Sequence, residues 1–498
     1  MKKFLLSSVL ALAVAGCQCP EKKECTADVK CEKKQAAVKK AEPAKKAPAK
    51  KAVSKKSAKK APAKKAAAKK AAKKAPAKKA AEASVIKIVG KTDKSALSYK
   101  KGEEMVFTFT VDYGKNTPGK HFLHYVRRGD DNKTFSGKAP ADKPLVVKTS
   151  LDKPGFVSVN VELVDENGKR IYFKYKRGRR VINRRVAYYA GAAVQAETLK
   201  DCGEPKDFDA FWANQKKRLA QVPFKGKVDK KLVKTHKSGN IYAVSIPAPG
   251  PRPATGYLTI PAGAKAKSLP IRINFIGYGA HIQKAPAAAA RGRIDFTLNA
   301  HGQKLGQNAA YYKEFFQSIK SGKYSYAFDP EQNKNAETCF FNGMVMRILR
   351  SLEYLKTLPE WNGKVIIAAG GSQGGLQTMW AAALDQDVTV AMPSITWCCD
   401  LAGTAKAKRI SGNWRIQYVP ALDYYDPVFL AKRIKKARVT VTRAGLGDYT
   451  CPPSGLAICY NNLATPRKSI RWVQGSDHGF VPEKSEVIVW STTKKNKK

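Results

Sequence analysis

At 498 residues the chain is too long for one ordinary domain, and a hydrophobic content of 43% is enough for real cores. Its formal charge of +54 lies far outside the normal range, and Lys33 to Lys79 alone supplies +19 of it (twenty lysines against Glu42), leaving +35 on the rest. Such a balance admits a polyanionic partner (nucleic acid, an anionic envelope polymer or an acidic polysaccharide) or, for the folded part, a solvated and strongly charged surface.

Lys2-Lys3 is a basic start, and Phe4 to Val14 is an apolar stretch too short to span a bilayer. Val14-Ala15-Gly16-Cys17 then resembles a bacterial lipobox, after which cleavage leaves Cys17 as a lipid-modified N-terminus. Residues 1–16 are therefore expected to be a lipoprotein signal peptide and the protein exported; an ordinary signal peptide with a small-residue cleavage site is the alternative. In a Gram-negative cell, Gln18 after the cysteine points to the outer membrane. Residues 17–84 are mostly Lys/Ala/Pro repeats with no apolar face, interrupted by Pro43, Pro48, Pro62 and Pro76, and are expected to be a disordered tether. Its composition resembles histone tails, but behind an export signal it meets little DNA, so no physiological nucleic acid is expected.

Between residues 85 and 187 short β-patterned runs recur: Val85–Val89, Glu104–Val111, Pro144–Thr149 and Gly155–Leu163, with turn signals such as Glu166-Asn167-Gly168. That rhythm indicates an immunoglobulin-like β-sandwich. His121 and His124, three apart on one strand, should face opposite ways and make no metal pair. Six cysteines in the body of the chain have no metal spacing, so neither a structural zinc nor any other cofactor is expected, and their pairing is open among 15 possibilities.

Residues 188–498 change rhythm. An amphipathic helix opens at Phe208-Asp209-Ala210-Phe211-Trp212. Strand-like runs follow at Asn240–Ile246, Ala254–Pro261, Ile271–Ile276 and Asp295–Asn299, and Cys339 to Leu358 reads as a long helix. Val365-Ile366-Ile367-Ala368-Ala369 is then a strand buried on both faces. It stops at Gly370-Gly371-Ser372-Gln373-Gly374, a G-x-S-x-G motif, before the helix-forming Leu376–Leu384. Strand, tight glycine turn with a serine, then helix is the context of a nucleophile elbow, in which side chains two residues either side of Ser372 would collide. Two later strands, Arg438–Thr442 and Ser469–Val473, lead into Asp448 and His478, which follow the serine at intervals of 76 and 30 residues. In a parallel sheet these strand ends share one edge, so the three can converge. His478 would take the Ser372 proton, and Asp448 would hold the imidazole tautomer. The alternation predicts an α/β-hydrolase doubly wound sheet. Asp477 is a poor rival for the acid role, because adjacent side chains point apart.

From about Gly191 to Phe480 the chain resembles the acetyl xylan esterase and cephalosporin C deacetylase group, carbohydrate esterase family 7. The likeness rests on Asp207–Trp212, Gly277-Tyr278-Gly279, His301-Gly302-Gln303, Gly370–Gly375 and Asp448-Tyr449-Thr450-Cys451-Pro452-Pro453-Ser454. The resemblance implies Ser372 as nucleophile, Asp448 as acid and His478 as base, with the backbone N–H groups of Tyr278 and Gln373 as the oxyanion hole. It implies hydrolysis of acetyl esters on xylan or xylo-oligosaccharides, and a ring-like homo-hexamer. Where the family has Arg-Gly-Gln this chain has His301, read as a structural substitute, and Gly479 stands where a Glu usually follows the histidine. Two other classes are expected to compete: a related serine hydrolase such as a peptidase of the same fold, and a non-catalytic envelope-anchored binder of anionic polymers.

Overall fold

The structure, a computed structural model, describes residues 85–177, 180–412 and 414–492. The expected signal peptide, Cys17 and the expected lysine-rich tether lie outside the described residues.

The first nine strands are β1 (Lys87–Thr92), β2 (Met105–Asp112), β3 (His121–Gly129), β4 (Thr134–Pro140), β5 (Leu145–Thr149), β6 (Gly155–Asp165), β7 (Tyr172–Arg177), β8 (Arg180–Arg185) and β9 (Ala187–Val194). They form antiparallel sheets in the orders β1-β2-β5 and β4-β3-β6-β9, and β7 and β8 pair as a hairpin. Alternation explains the first sheet: Met105, Phe107 and Phe109 are buried, while Val106 and Thr108 between them are half-buried. Phe109 meets Tyr188 of β9 edge to face, with ring centroids 6.0 Å apart, so the two larger sheets share a core. His121 and His124 sit on β3, half-buried, and His121 stacks on Tyr113. Strand β9 pairs with β6 from Glu162 back to Gly155, which carries this β-region through Val194. Its Gly191-Ala192-Ala193-Val194 end, small and fully buried, is also where the family likeness begins.

The second part is one ten-stranded sheet in the order β10-β11-β12-β14-β13-β15-β16-β17-β18-β19. Its strands are β10 (Asp229–His236), β11 (Gly239–Ile246), β12 (Ala254–Pro261), β13 (Leu269–Phe275), β14 (Ile294–Asn299), β15 (Trp361–Gly371), β16 (Val390–Ser394), β17 (Arg438–Gly445), β18 (Lys468–Val473) and β19 (Val487–Ser491). The central strands from β14 to β18 run parallel and the outer ones antiparallel. Ile366 and Ala368 of β15 are fully buried, as a strand covered by helices on both faces requires. The helix Gln373–Leu384 is buried along its whole length, and Phe340–Leu355 over fourteen of its sixteen residues. This is the α/β-hydrolase arrangement, and it brings the carboxyl ends of β13, β15, β17 and β18 to one edge. Among the described residues no helix is long and apolar enough to cross a membrane.

Candidate active site

Ser372 stands between β15 and the helix Gln373–Leu384 with φ 59° and ψ −121°, a backbone state that L-residues avoid. The strain is held by hydrogen bonds on both sides: Ser372 N–H donates to Ser394 O at 2.9 Å, and Trp397 N–H to Ser372 O at 3.2 Å. Glycine is required around it. A Cβ on Gly374 would lie 2.4 Å from Phe275 O, and one on Gly370 would lie 2.6 Å from the Gly374 backbone.

Asp448 follows β17 and its side chain is fully buried. Its Oδ1 accepts the N–H groups of Thr450 at 3.0 Å and Cys451 at 3.1 Å, and Oδ2 lies 2.9 Å from His478 Nδ1. A carboxylate can only accept, so the imidazole proton sits on Nδ1. That leaves Nε2 as a bare acceptor 3.1 Å from Ser372 Oγ. Ser372, His478 and Asp448 are thus brought into one hydrogen-bonded line. Asp477, next in the chain, turns away and pairs with Arg184 at 2.7 Å.

Tyr278 and Gln373 come together because β13 and β15 are neighbours, with Phe275 opposite Gly370. The loop Gly277-Tyr278-Gly279 then passes beside the elbow, where a Cβ on Gly277 would lie 3.7 Å from Gly371 O. Tyr326 fastens the two sides. Its hydroxyl donates to Gln373 Oε1 at 2.8 Å and accepts from Gly279 N–H at 2.8 Å. Burial raises the Tyr326 pKa, keeping that hydroxyl a donor. His301 adds a second brace, with Nε2–H donating to Gly279 O at 3.0 Å. Burial pulls its pKa down to about 4, helped by the Arg347 and Arg252 charges, so it serves as a neutral strut beside the site. Arg347 in turn donates twice to Ala300 O, at 3.0 and 2.8 Å.

Asp448, Cys451 and His478 also bring a carboxylate, a thiol and an imidazole within 4.8 Å of one another. Their state suits hydrogen bonding better than metal ligation: Asp448 and His478 hold each other, and burial pushes the Cys451 thiol well up, away from the thiolate a metal needs. The six cysteines of the body are all unpaired thiols.

Trp397, whose N–H is held by Ser372 O, also lines a cavity of about 640 Å³ together with Arg409, Trp414, Tyr418 and Thr450, while Ser372, His478, Tyr278 and Gln373 are not part of its lining. Trp414 is 46% exposed, and its ring stands edge-on to Tyr278 at 5.3 Å. The wall carrying Arg409 and Ile410 is tied to the β-region, since Asp130 Oδ1 accepts Ile410 N–H at 3.1 Å while Oδ2 accepts Phe156 N–H at 2.8 Å. Tyr326, Trp414 and Asp130 were not visible as site residues in the sequence. Each is a single residue in an unpatterned stretch, and contacts between distant segments give them their place.

Comparison with known proteins gives the same direction. The family model described as "Acetyl xylan esterase (AXE1)" matches residues 198–494. The acetyl esterase Axe7A of Xylanibacter ruminicola is 27% identical over 354 residues, covering 68% of this chain and 74% of that protein. Among solved structures, the acetyl xylan esterase of Paenibacillus sp. R4 is 26% identical with a TM-score of 0.48, covering 58% of this chain and 94% of that one. Acetyl xylan esterase 1 of Thermoanaerobacterium sp. covers the same shares at 19% identity with a TM-score of 0.45. With the family model spanning more than half of its residues, this chain belongs to the acetyl xylan esterase family and is a carboxylic ester hydrolase.

Proposed function

We propose that the chain removes acetyl groups from acetylated sugars, xylan or xylo-oligosaccharides, through an acyl-Ser372 intermediate. The reading rests above all on the line from Ser372 Oγ through His478 to Asp448, at 3.1 and 2.9 Å, on a strained elbow. His478 Nε2 takes the serine proton as Oγ attacks the acetyl carbonyl carbon. The resulting oxyanion is received by the backbone N–H groups of Tyr278 and Gln373, helped by the N-terminal dipole of the helix. His478 then returns the proton to the departing sugar oxygen. Water, activated by the same imidazole, hydrolyses the acyl-enzyme and releases acetate. Asp448 stabilises the imidazolium while it exists. The sugar ring is read as lying against Trp414 in the adjoining cavity, an exposed aromatic face suited to an amphipathic ring.

Acetate release from a panel of acetylated xylans and xylo-oligosaccharides tests this reading, with Ser372→Ala as the control. The variant should stay folded and lose turnover by on the order of 10⁶-fold. Wild-type activity in that variant would remove the triad assignment, and cleavage of peptide probes instead of acetyl esters would favour the peptidase reading.

Further parts of the proposal concern the rest of the chain. The β-region is read as an immunoglobulin-like sandwich, supported by two antiparallel sheets sharing a core. The protein is read as exported and held to the envelope by lipid on Cys17, supported by the Val14-Ala15-Gly16-Cys17 pattern. A homo-hexamer is the assembly the family likeness suggests, and sedimentation of the purified protein reads it directly.

A further inference from the structure

The β-region lies against the loops that carry the acid and the base. Gln474, buried just after β18, donates through Nε2 to Gly191 O at 2.8 Å and accepts Gly191 N–H at 2.9 Å. Tyr189 forms a bridge with Gly475, and a Cβ on Gly447 would lie 2.2 Å from Tyr189 O. One contact stands closer to the chemistry than these. Arg184 of β8 donates from Nη2 to Asp477 Oδ2 at 2.7 Å, and its guanidinium carbon lies 4.0 Å from the ring centroid of Phe480. It therefore grips the residue before His478 and the second residue after it. Asp477 Oδ1 accepts Gly479 N–H at 2.9 Å, closing a turn with His478 inside it. From the other side Arg443 of β17 donates to His478 O at 2.8 Å.

From this geometry we infer that Arg184 is a positioning residue for His478. It acts through Asp477 and Phe480, and so makes the β-region a working part of the esterase. The inference rests on His478 being the general base. Arg184 precedes residue 198, so it lies outside the stretch the family model covers. Arg184 and Asp477 are 17% and 24% exposed. The pair is part-buried, so removing one partner costs stability, and the melting temperature is measured beside kcat in each variant. A displaced imidazole is felt directly in the rate of proton transfer.

The test uses the full chain and a small chromogenic acetyl ester, 4-nitrophenyl acetate, with kcat and KM measured separately. Arg184→Met should lower kcat by about 3- to 30-fold while KM stays near wild type, measured at a temperature where the variant is fully folded. Arg184→Lys should recover part of the loss. Asp477→Asn should resemble Arg184→Met, and the double variant should be no worse than either single one, because both remove the same link. Lys87→Ala cuts a different, exposed ion pair, Lys87 to Glu483 at 3.0 Å, and should leave kcat unchanged. Should Arg184→Met not fold, Asp477→Asn carries the test alone. A kcat within twofold of wild type, or losses that multiply in the double variant, would overturn the inference. Ser372→Ala separates the two readings: if it abolishes turnover while Arg184→Met changes nothing, the Arg184 inference alone falls, and if it keeps turnover both fall.

Discussion

His301 Nε2 lies 3.0 Å from Gly279 O, so a buried, neutral imidazole braces the loop that carries Tyr278. The ring is kept unprotonated because Nδ1 is buried without a hydrogen-bond partner, so a second proton there would be stranded. Its pKa is held down to about 4, against an ordinary value near 6.5. Between those values the unfolded chain binds the proton more readily, so His301 costs the fold stability as pH falls from about 6.5 towards 4. Asp130, raised by burial to about 6, works the opposite way, losing stability as pH rises through 6. Comparing wild type with His301→Gln cancels the Asp130 contribution. Urea unfolding at pH 7 and pH 5 should show wild type losing about 2 kcal/mol more than the variant over that interval. Equal losses in the two proteins would contradict the neutral strut.

Gly374→Ala should be harmful although the change adds one methyl group. The new Cβ would sit 2.4 Å from Phe275 O, so either the helix or β13 must move. Strain of about 1–3 kcal/mol is expected, seen as a lower melting temperature together with loss of acetyl-ester turnover. A variant with unchanged activity would mean that the elbow tolerates displacement.

Trp414→Ala separates sugar binding from acyl chemistry. KM for an acetylated xylo-oligosaccharide should rise by about 5- to 20-fold, in line with loss of one well-packed aromatic contact. Turnover of 4-nitrophenyl acetate should change less than threefold. Equal effects on both substrates would place Trp414 in the support of Tyr278 rather than on the sugar.

Asp130→Ala should loosen the cavity wall without touching the triad, since it removes the acceptor for Ile410 N–H. The expected signature is a raised KM for the oligosaccharide with kcat on the small ester near wild type. A collapse of kcat on both substrates would show that the wall and the triad move together.

Lipid attachment and charge attraction respond differently to salt. If Cys17 carries lipid, high salt should leave the full-length protein in the membrane fraction and detergent should release it. Cys17→Ser should become soluble once salt weakens the attraction of the lysine tract for anionic surfaces. Wild-type protein free in the medium without detergent would refute the anchor.

The strands nearest the chemistry were legible because their sequences carry strong local signals. The β-branched run before Ser372 and the glycines around it leave little room for another fold, and strand-end residues such as Asp448 and His478 are placed by the sheet. Edge strands were harder. Strand β10 is exposed over seven of its eight residues, with Lys230, Lys231 and Lys234 along it, so it shows no buried face to read. Such lysines suit an edge that must resist pairing with another chain. Strand β16, Val390–Ser394, was missed because five residues ending in a proline and a serine resemble a loop. The braces of the site were invisible for another reason. Tyr326 reaches Gln373 and Asp130 reaches Ile410 across segments far apart in the chain, and no local pattern records such pairs.

The reciprocal pair between Gln474 and Gly191 bears on how this enzyme can be divided. A piece cut to the limits of the family model, starting at residue 198, would strip the partner from a side chain that is 2% exposed and sits four residues before His478. It would also uncover the Leu446-Gly447 turn that leads into Asp448 and packs on Gly191 and Tyr189. The smallest fragment that keeps the Asp448 and His478 loops supported is therefore larger than the stretch by which the family is recognised, and it includes β9 and the hairpin that carries Arg184.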